Sequence, residues 1–477
     1  MALSVPSDSV ATGKSEDLTN LPHGRISSID VLANTISNVA PSVTAGVTIA
    51  LIAGVAGTAT PEVYLLVGLV LFALAIQIAT LSYYLPSAGG IYSYVSKALH
   101  PLLGFIIAIT GIYAIPLATG TVPLLAGNFL LLGLAQVFHF PVNIIEVSVL
   151  GIVILLFSAI LTHHGVRLSS RVGLFFELMS VLIFSFSAFL VLLHKPEIDT
   201  TVVSWTNPLD IPSIAFIFAI YSYGGFTTAG HLAIESKNRK IVAPAMMLLT
   251  LALSAVFFIF ISYCMLVGFD NNAALLGKSP GPFDYLGSTL GYAWMGPGTD
   301  FAVGAALLAG TISALNTQSR LLFSMSRHGI LPRIVGRVHQ RHLTPHVGNT
   351  LVFLLMLPVL LFVYFWHTPV MVIMGAVEGV TSIVLAMSWL IASVSVPVLL
   401  WKKHYRGLNF YGNTLITFLF SAPMMLFLIY SALVPFPTGI KDILLTVLLL
   451  LVGTCVVFFV LPITRKYVVP ILESFSQ

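Results

Sequence analysis

Long apolar windows, each bounded by polar or turn residues, recur along almost the whole of this 477-residue chain. A helix of about 20 mainly apolar residues is long enough to cross a bilayer. Hydrophobic residues make up 57% of the chain and charged residues 8%, whereas roughly one quarter of the residues in soluble domains are charged. The sequence therefore predicts an all-α polytopic membrane protein. We place its twelve transmembrane spans at approximately residues 30–54, 63–85, 102–134, 144–162, 172–193, 211–234, 243–267, 300–325, 347–365, 370–400, 412–435 and 442–461.

Basic residues fall mainly on one side of these spans. If the N-terminus is cytoplasmic, 18 of the 21 Lys and Arg residues lie in cytoplasmic segments, and Lys195, Lys278 and Lys441 lie outside. Cytoplasmic loops of membrane proteins carry such an excess, so we predict a cytoplasmic-membrane protein with both termini in the cytoplasm. Residues 1–29 hold no apolar core of a signal peptide and are expected to form a cytoplasmic tail. Both cysteines lie in apolar runs, which favours packing over a disulfide or a metal site.

The first predicted span contains a stretch that is poor in helix formers, residues 38–46, with the sequence NVAPSVTAG. Proline lacks an N–H and clashes with the preceding turn, glycine is flexible, and Ser and Thr offer the backbone competing hydrogen bonds. In hydrocarbon a broken helix is tolerated only where it is buried in protein or lines a wet cavity. A simple kink or a tight packing contact is the alternative for one such stretch alone.

A second stretch of this kind, residues 221–230 (YSYGGFTTAG), interrupts the sixth span at a corresponding place. Five spans form a repeat of odd number, so the second half is inverted relative to the first. Paired broken helices in inverted halves point to a transporter site near the membrane midplane. We therefore expect the following organisation: a tail at 1–29, a first repeat of spans one to five at 30–193, an extracellular connection at 194–210, a second repeat of spans six to ten at 211–402, and two accessory spans with a short cytoplasmic C-terminus at 403–477.

Three sets of motifs, in chain order, resemble those of the amino acid–polyamine–organocation (APC) transporter superfamily. They are residues 85–94 (LPSAGGIYSY) with Pro101 and 104–105, then 225–226 with 235–238, and then 319–323 with 326–332. The resemblance implies the leucine-transporter fold, in which two inverted five-helix repeats give alternating access to a site between broken spans one and six. It covers spans one to eight and says little about the substrate.

The resemblance also implies how a substrate is held. Half-helix N-termini are partly positive and unwound carbonyls partly negative, so span-one amides meet the carboxylate of a zwitterion and carbonyls meet its ammonium. Tyr221 falls where some relatives place an aromatic that closes the outer side. The matching residues are Ser42, Val43, Thr44, Ala45 and Gly46 in span one, and Tyr221, Ser222, Tyr223, Gly224, Gly225 and Phe226 in span six.

Two departures from the family pattern bear on substrate and coupling. Thr227 stands where the family has a glutamate, and Arg239 where it has a proline. Span five lacks the lysine that several proton-coupled or ion-independent relatives carry, and Glu177 lies near that position. A buried carboxylate loses its hydration, which makes Glu177 a candidate proton carrier. The alternative is a structural ion pair between Glu177 and Arg171 or Arg167.

Other polar residues in the predicted spans are candidates for coupling. Hydroxyls on span eight, with span-one carbonyls, suit a sodium ion, although helical Ser and Thr commonly bond to their own helix. His231 follows the second break, where it either titrates or is structural. Glu378 in span ten either lines the outer vestibule or reaches the interface. The remaining candidates are Ser180, Thr311, Ser313 and Thr317.

The predicted function is secondary active transport of a neutral amino acid, with proton symport preferred over sodium symport or exchange of amino acids or polyamines. The expected partners are the small-molecule substrate, the coupling ion and the lipid bilayer, with no nucleic acid, cofactor or metal. The chain lacks a Walker A pattern, a Gly-x-Ser-x-Gly elbow and a His-Glu-x-x-His motif, so we do not expect an enzyme. The alternative from another class is a non-transporting receptor or scaffold.

Overall fold

The computed structural model describes residues 21–114, 119–195, 205–208, 210–366, 370–404, 407–423 and 426. Within these residues the regular elements are helices, together with one isolated parallel bridge between Ile26 and Ser236. The α-helices are α1 Ser28–Val39, α2 Pro41–Val43, α3 Ile49–Ala56, α4 Thr60–Tyr84, α5 Ile91–Ala98, α6 Pro101–Ala114, α7 Val122–Phe138, α8 Ile144–His163, α9 Val166–His194, α10 Ser213–Ser222, α11 Val242–Gly268, α12 Ala273–Lys278, α13 Pro282–Leu290, α14 Met295–Arg327, α15 His346–Trp366, α16 Val370–Lys402 and α17 Leu408–Ile416. Tighter or wider helical turns are the 3₁₀ segments Gly57–Ala59, Phe226–Glu235 and Arg333–Gly336 and the π-helical segments Thr44–Thr48 and Thr417–Ser421.

Seven helical stretches in the described part of the chain are long and apolar enough to cross a membrane. One of them, Ser28–Tyr84, contains predicted spans one and two, separated by the short turn at Gly57–Ala59. The all-α prediction is confirmed. The count of twelve stays a prediction, because the twelfth predicted span, 442–461, lies outside the described residues and the eleventh is described only at its beginning.

The third predicted span, 102–134, differs from the prediction. It is two helices, α6 and α7, with a turn at Gly120 and Thr121 before α7 begins. Pro123 lies in the first turn of α7, where its missing N–H would have no intrahelical partner in any case. Hydropathy alone joined the two helices, because no charged residue lies between them.

Helix α14 forms the centre of the described structure. It packs between α7 and α9 and also contacts α1, α8 and α15. Small residues along it allow this close packing: a Cβ added at Gly304 would lie 2.6 Å from Leu130 Cγ. On the outer helices, large apolar side chains such as Leu156, Leu182 and Val256 are exposed, as expected for surfaces that face lipid.

Two ion pairs join the helices on the side predicted to be cytoplasmic. Arg171 Nε on α9 lies 2.9 Å from Asp30 Oδ1 on α1. Arg320 Nε on α14 lies 2.5 Å from Glu235 Oε1 at the end of the 3₁₀ segment Phe226–Glu235, and both side chains are buried. A buried charge is tolerated when it is paired, so these contacts fix the inner ends of spans one and six against α9 and α14.

Candidate functional site

The break in span one is a single residue. Helix α1 ends at Val39, and Ala40 adopts a left-handed conformation with φ 48°. Pro41 then begins α2. A proline disfavours the right-handed helical region for the residue before it, yet it is well suited to the first position of a new helix. The sequence Ala40-Pro41 therefore both ends one half-helix and begins the next, which continues through the π-helical segment Thr44–Thr48 into α3.

The break in span six is made by glycines. Helix α10 ends at Ser222, Gly225 has φ 106°, and the chain continues as a ten-residue 3₁₀ helix, Phe226–Glu235. A run of this length is uncommon, because 3₁₀ hydrogen bonds are poorly aligned. The second half of span six is therefore more tightly wound than an α-helix, and Gly225 supplies the backbone conformation that starts it.

The two breaks touch each other. A Cβ added at Gly225 would lie 2.7 Å from Asn38 Oδ1 and 2.9 Å from both the carbonyl carbon and oxygen of Asn38. Only a residue without a side chain fits this contact, since real Cβ atoms essentially never approach so closely. Gly225 is thus required both by its backbone angle and by the approach of span one.

A cavity of about 290 Å³ lies beside this contact. Its wall includes the last turn of α1, the start of the second half of span one, both sides of the span-six break, and parts of α6, α14 and α16. No Asp, Glu, Lys or Arg belongs to the described lining. The polar lining consists of hydroxyls, amides and one imidazole, among them Asn38, Thr44, Thr48, Thr110, Ser222, Thr227, Thr228, His231, Thr317, Gln318 and Ser388.

The predicted site residues divide into those that line the cavity and those that pack behind it. Six of the eleven line it: Val43, Thr44, Tyr221, Ser222, Gly224 and Gly225. Ser42, Ala45, Gly46, Tyr223 and Phe226 do not belong to the described lining. Tyr223 is fully buried and donates its hydroxyl to Tyr64 O at 2.8 Å, and Phe226 packs on Trp389 with ring centroids 5.3 Å apart.

Gly46 has a packing role. A Cβ added there would overlap the side chain of Val303 on α14 and lie 3.4 Å from Phe184 on α9. The glycine lets the second half of span one approach α14 closely. The sequence pattern alone could not distinguish this packing role of Gly46 from direct contact with a substrate.

Glu177 lies directly beside the span-one break. Its Oε1 accepts the Ser42 hydroxyl at 3.2 Å and lies 3.5 Å from the Ser42 amide nitrogen. The side chain is buried, and Oε2 has no hydrogen-bond partner. None of the ion pairs in the described residues includes Glu177. The alternative, a structural ion pair between Glu177 and either Arg171 or Arg167, is wrong. Arg171 pairs with Asp30, and Arg167 is exposed.

The span-eight hydroxyls have different partners. Thr311 donates to Leu307 O of its own helix. Ser313 donates to Asn34 O at 2.5 Å and accepts from Asn38 Nδ2 at 3.2 Å, while Thr317 accepts from Asn34 Nδ2 at 3.2 Å. These bonds attach α1 to α14. Ser180 donates to Phe176 O and to Ala302 O, both at 2.7 Å, and so attaches α9 to α14.

An amide cluster that the sequence analysis did not identify extends this contact. Asn316 Nδ2 donates to Asn34 Oδ1 at 3.1 Å and to Ser169 Oγ at 2.9 Å, which joins α1, α9 and α14. The available signal was the spacing of Asn34 and Asn38, because residues four apart lie on one helix face. Two asparagines on one face of an apolar span indicate a buried polar contact.

The predicted cytoplasmic end of the cavity is lined by Gly89, Tyr92 and His231. His231 Nδ1 lies 2.7 Å from Ala88 O, which supports the structural interpretation of this histidine. The Tyr92 hydroxyl lies 2.7 Å from Ser324 Oγ and 2.9 Å from His328 Nδ1. Burial, with Lys97 and Arg327 nearby, lowers the pKa of His328 to about 4, so its ring is neutral at pH 7. The side chain of Glu378 lies outside the described residues.

Comparisons with known proteins agree with this architecture. The chain matches the family model described as "Amino acid permease" over residues 26–463. The crystal structure of MhsT in complex with L-phenylalanine superposes with a TM-score of 0.58 at 14% identity, covering 87% of this chain and all of that one. At this identity the likeness shows a shared fold.

Curated relatives carry transport names rather than enzymatic ones. The branched-chain amino acid permease BcaP of Bacillus subtilis is 25% identical over 61% of this chain and 66% of its own length. The human large neutral amino acids transporter small subunit 2 is 24% identical over 72% of this chain and 63% of its own. The methylthioribose transporter of Bacillus subtilis is 29% identical over 61% and 64%. The matches thus span about two thirds of each relative. Because the family model covers most of the sequence, the chain belongs to the amino acid permease family of multi-pass membrane transporters.

Proposed function

We propose that this protein is a secondary transporter of neutral amino acids with apolar side chains, and that it moves them together with a proton by alternating access between the two sides of the cytoplasmic membrane. The observation that carries the proposal is the cavity at the contact of the two helix breaks, whose described lining holds no charged side chain. A zwitterion there meets helix ends and neutral donors, which suit its two opposite charges.

The apolar part of the cavity favours an apolar substrate side chain. Ile107, Val122, Leu307, Leu321 and Leu385 contribute to its wall. Burial of apolar area is favourable by about 25 cal/mol per Å², whereas an arginine or aspartate side chain would lose hydration without an opposite charge. Branched-chain and large neutral amino acids, named for two of the relatives, have this chemistry.

Proton coupling is assigned to Glu177. A carboxylate buried in the membrane without a cation beside it is costly, and binding a proton removes that cost. Its hydrogen bonds to Ser42 place the charge next to the break that lines the cavity. Binding or release of one proton at Glu177 would therefore change the electrostatic environment of the part of span one that holds the substrate.

Uptake into proteoliposomes of purified protein tests the proposal. The substrates are labelled leucine, phenylalanine, glutamate and lysine, with methylthioribose as a competitor, and pH and sodium gradients are imposed separately. We expect leucine and phenylalanine to accumulate with an inward proton gradient and no sodium. Accumulation that requires sodium contradicts the proton assignment, uptake that requires internal amino acid points to an exchanger, and absence of both uptake and binding points to a receptor or scaffold.

The variant Glu177→Gln tests the coupling residue. Its pH-driven accumulation of leucine should fall at least tenfold. Leucine counterflow at equal pH on both sides should persist, because the binding cavity is intact. Glu146→Gln is the matched control, since Glu146 is an exposed carboxylate on α8. Full pH-driven accumulation by Glu177→Gln would rule out its role.

A further inference from the structure

Five histidines lie together on the predicted cytoplasmic side, where α8 ends and α15 begins. The ring centroid of His339 lies 5.4 Å from that of His163 and 4.8 Å from that of His342. The same distance is 5.0 Å between His164 and His342, and it is 5.6 Å between His339 and His346. Two segments that are distant in sequence thus form one group of rings. The members of this histidine cluster are His163, His164, His339, His342 and His346.

Hydrogen bonds hold the two segments of the histidine cluster together and fix the tautomer of His339. The Thr344 hydroxyl donates to His163 O at 2.9 Å. The amides of Arg341 and His342 both donate to His339 Nδ1, each at 3.2 Å. A ring nitrogen that accepts a hydrogen bond carries no proton, so the proton of this neutral ring is on Nε2. That N–H makes no hydrogen bond to the described residues and is available to a ligand.

The described surroundings of the histidine cluster are basic. Arg167, in the first turn of α9, and Arg341 are both exposed. The two carboxylates on the predicted cytoplasmic side of the described chain, Asp30 and Glu235, are already in ion pairs. Loss of hydration, together with the other rings of the cluster and Arg341, lowers the pKa of His342. Positive charge is therefore concentrated here without a counter-ion, which suits an anionic group such as a phosphate.

The histidine cluster also lies where an apolar, exposed face of α8 ends. Val153, Phe157 and Ile160 are each about half exposed, and their spacing of three and four residues places them on one face of the helix. His164 is exposed and follows Ile160 by four residues, and its Nδ1 donates to Ile160 O at 2.7 Å. It therefore continues the same face. A lipid chain that lies along this face of α8 has its headgroup at the cluster.

Clustered histidines commonly bind a metal ion, but no three His, Cys, Asp or Glu side chains in the described residues are placed to hold one. Basic residues at the end of a membrane-spanning helix attract anionic lipids.

We propose that the histidine cluster binds the phosphate of an anionic phospholipid. The His339 Nε2–H donates to a phosphate oxygen, Arg167 and Arg341 supply the opposite charge, and an acyl chain lies along the exposed face of α8. None of these residues belongs to the described lining of the transport cavity. The lipid site is therefore separate from the substrate site, and the inference does not depend on the substrate or the coupling ion.

Native mass spectrometry of the purified full-length protein tests the proposal. Phosphatidylglycerol and phosphatidylcholine with the same acyl chains are added in detergent, and wild type should retain the anionic lipid at least fivefold more. His339→Asn should lower this retention at least threefold. An asparagine side chain also accepts from backbone amides further along a turn, so this variant keeps the turn, loses the Nε2–H and changes no charge.

The charged part of the site is tested by a double variant, Arg167→Gln with Arg341→Gln. It should lower retention of phosphatidylglycerol at least fivefold. The matched control is Lys237→Gln with Arg239→Gln, which removes the same charge from two exposed residues of another predicted cytoplasmic segment. We expect the control to bind as wild type. All four side chains are exposed, and the apparent Tm in detergent checks that each variant is folded.

Three outcomes would overturn the lipid site. Wild type retains the two lipids equally, or the control loses as much phosphatidylglycerol as the Arg167 and Arg341 variant, or His339→Asn binds as wild type. A fourth arm adds glycerol phosphate, a water-soluble headgroup analogue, which should leave the lipid bound. Complete displacement would mean a site for a soluble anion and would also contradict the proposal. Because lipid retention is measured without transport, none of these results bears on the proposed substrate or on Glu177.

Discussion

The two helix breaks that meet at the cavity are built in different ways. The span-one break depends on one left-handed residue, Ala40, and on Pro41, and Glu177 on a neighbouring helix binds the residue after it. The span-six break depends on Gly225, and its flanking aromatics Tyr223 and Phe226 point into packed protein. One break therefore has a polar, ionisable neighbour and the other a mainly apolar one.

This difference suggests a division of roles. A carboxylate beside span one lets the protonation of Glu177 bias the geometry of that break, because the charge lies next to its first amides. Span six offers no carboxylate at its break. Its glycines instead let the backbone approach span one and the substrate closely, which sets the shape of the cavity. Three experiments, in order of decreasing expected effect, examine this distinction.

Gly225→Val should abolish substrate binding. The side chain would overlap Asn38, and the φ of 106° is strained for any L-residue with a side chain. Binding of labelled leucine to purified protein measures the effect, and the protein should still insert into the membrane. Gly412→Ala is the control, because a Cβ at Gly412 meets no atom within 4 Å. Normal binding by Gly225→Val would place the site elsewhere.

Tyr221→Ala and Tyr223→Phe should distinguish a residue that contacts the substrate from one that only packs behind the cavity. Tyr221 lines the cavity, so its loss should weaken leucine binding by about tenfold, or about 1.4 kcal/mol. Tyr223→Phe removes the bond to Tyr64 O and should lower the free energy of unfolding by about 1 kcal/mol while leaving affinity unchanged. The reverse pattern, with weaker binding only in Tyr223→Phe, would exchange the two roles.

Ala40→Gly should stabilise the protein slightly. A left-handed conformation costs an alanine about 1 kcal/mol that glycine does not lose, so the apparent Tm in detergent should rise. Ala45→Gly, at a buried helical position, should change the apparent Tm in the opposite direction. A lower Tm for Ala40→Gly would mean that the methyl group of Ala40 contributes more through packing than it costs through strain.

Sequence reasoning located both breaks and the family, since breaks and motifs depend on local sequence. Pro41 ends a helix wherever it stands in one, and Gly225 permits a positive φ in any context. The same reasoning joined α6 and α7 into one span, because no charged residue separates them and hydropathy does not register the turn. It also assigned Ser42, Gly46, Tyr223 and Phe226 to the substrate, although they bind or pack against neighbouring helices.

The sequence by itself thus determined that this is a helical membrane protein of the amino acid permease family, and where spans one and six break. Apolar length, proline and glycine act through local geometry, which is written along the chain. The tertiary structure alone decided which side of each break faces the cavity, that Arg171 pairs with Asp30 and not with Glu177, and that Ser37 lies against Gly173. These facts depend on the rotation and packing of helices that are distant in sequence, and no local pattern encodes them.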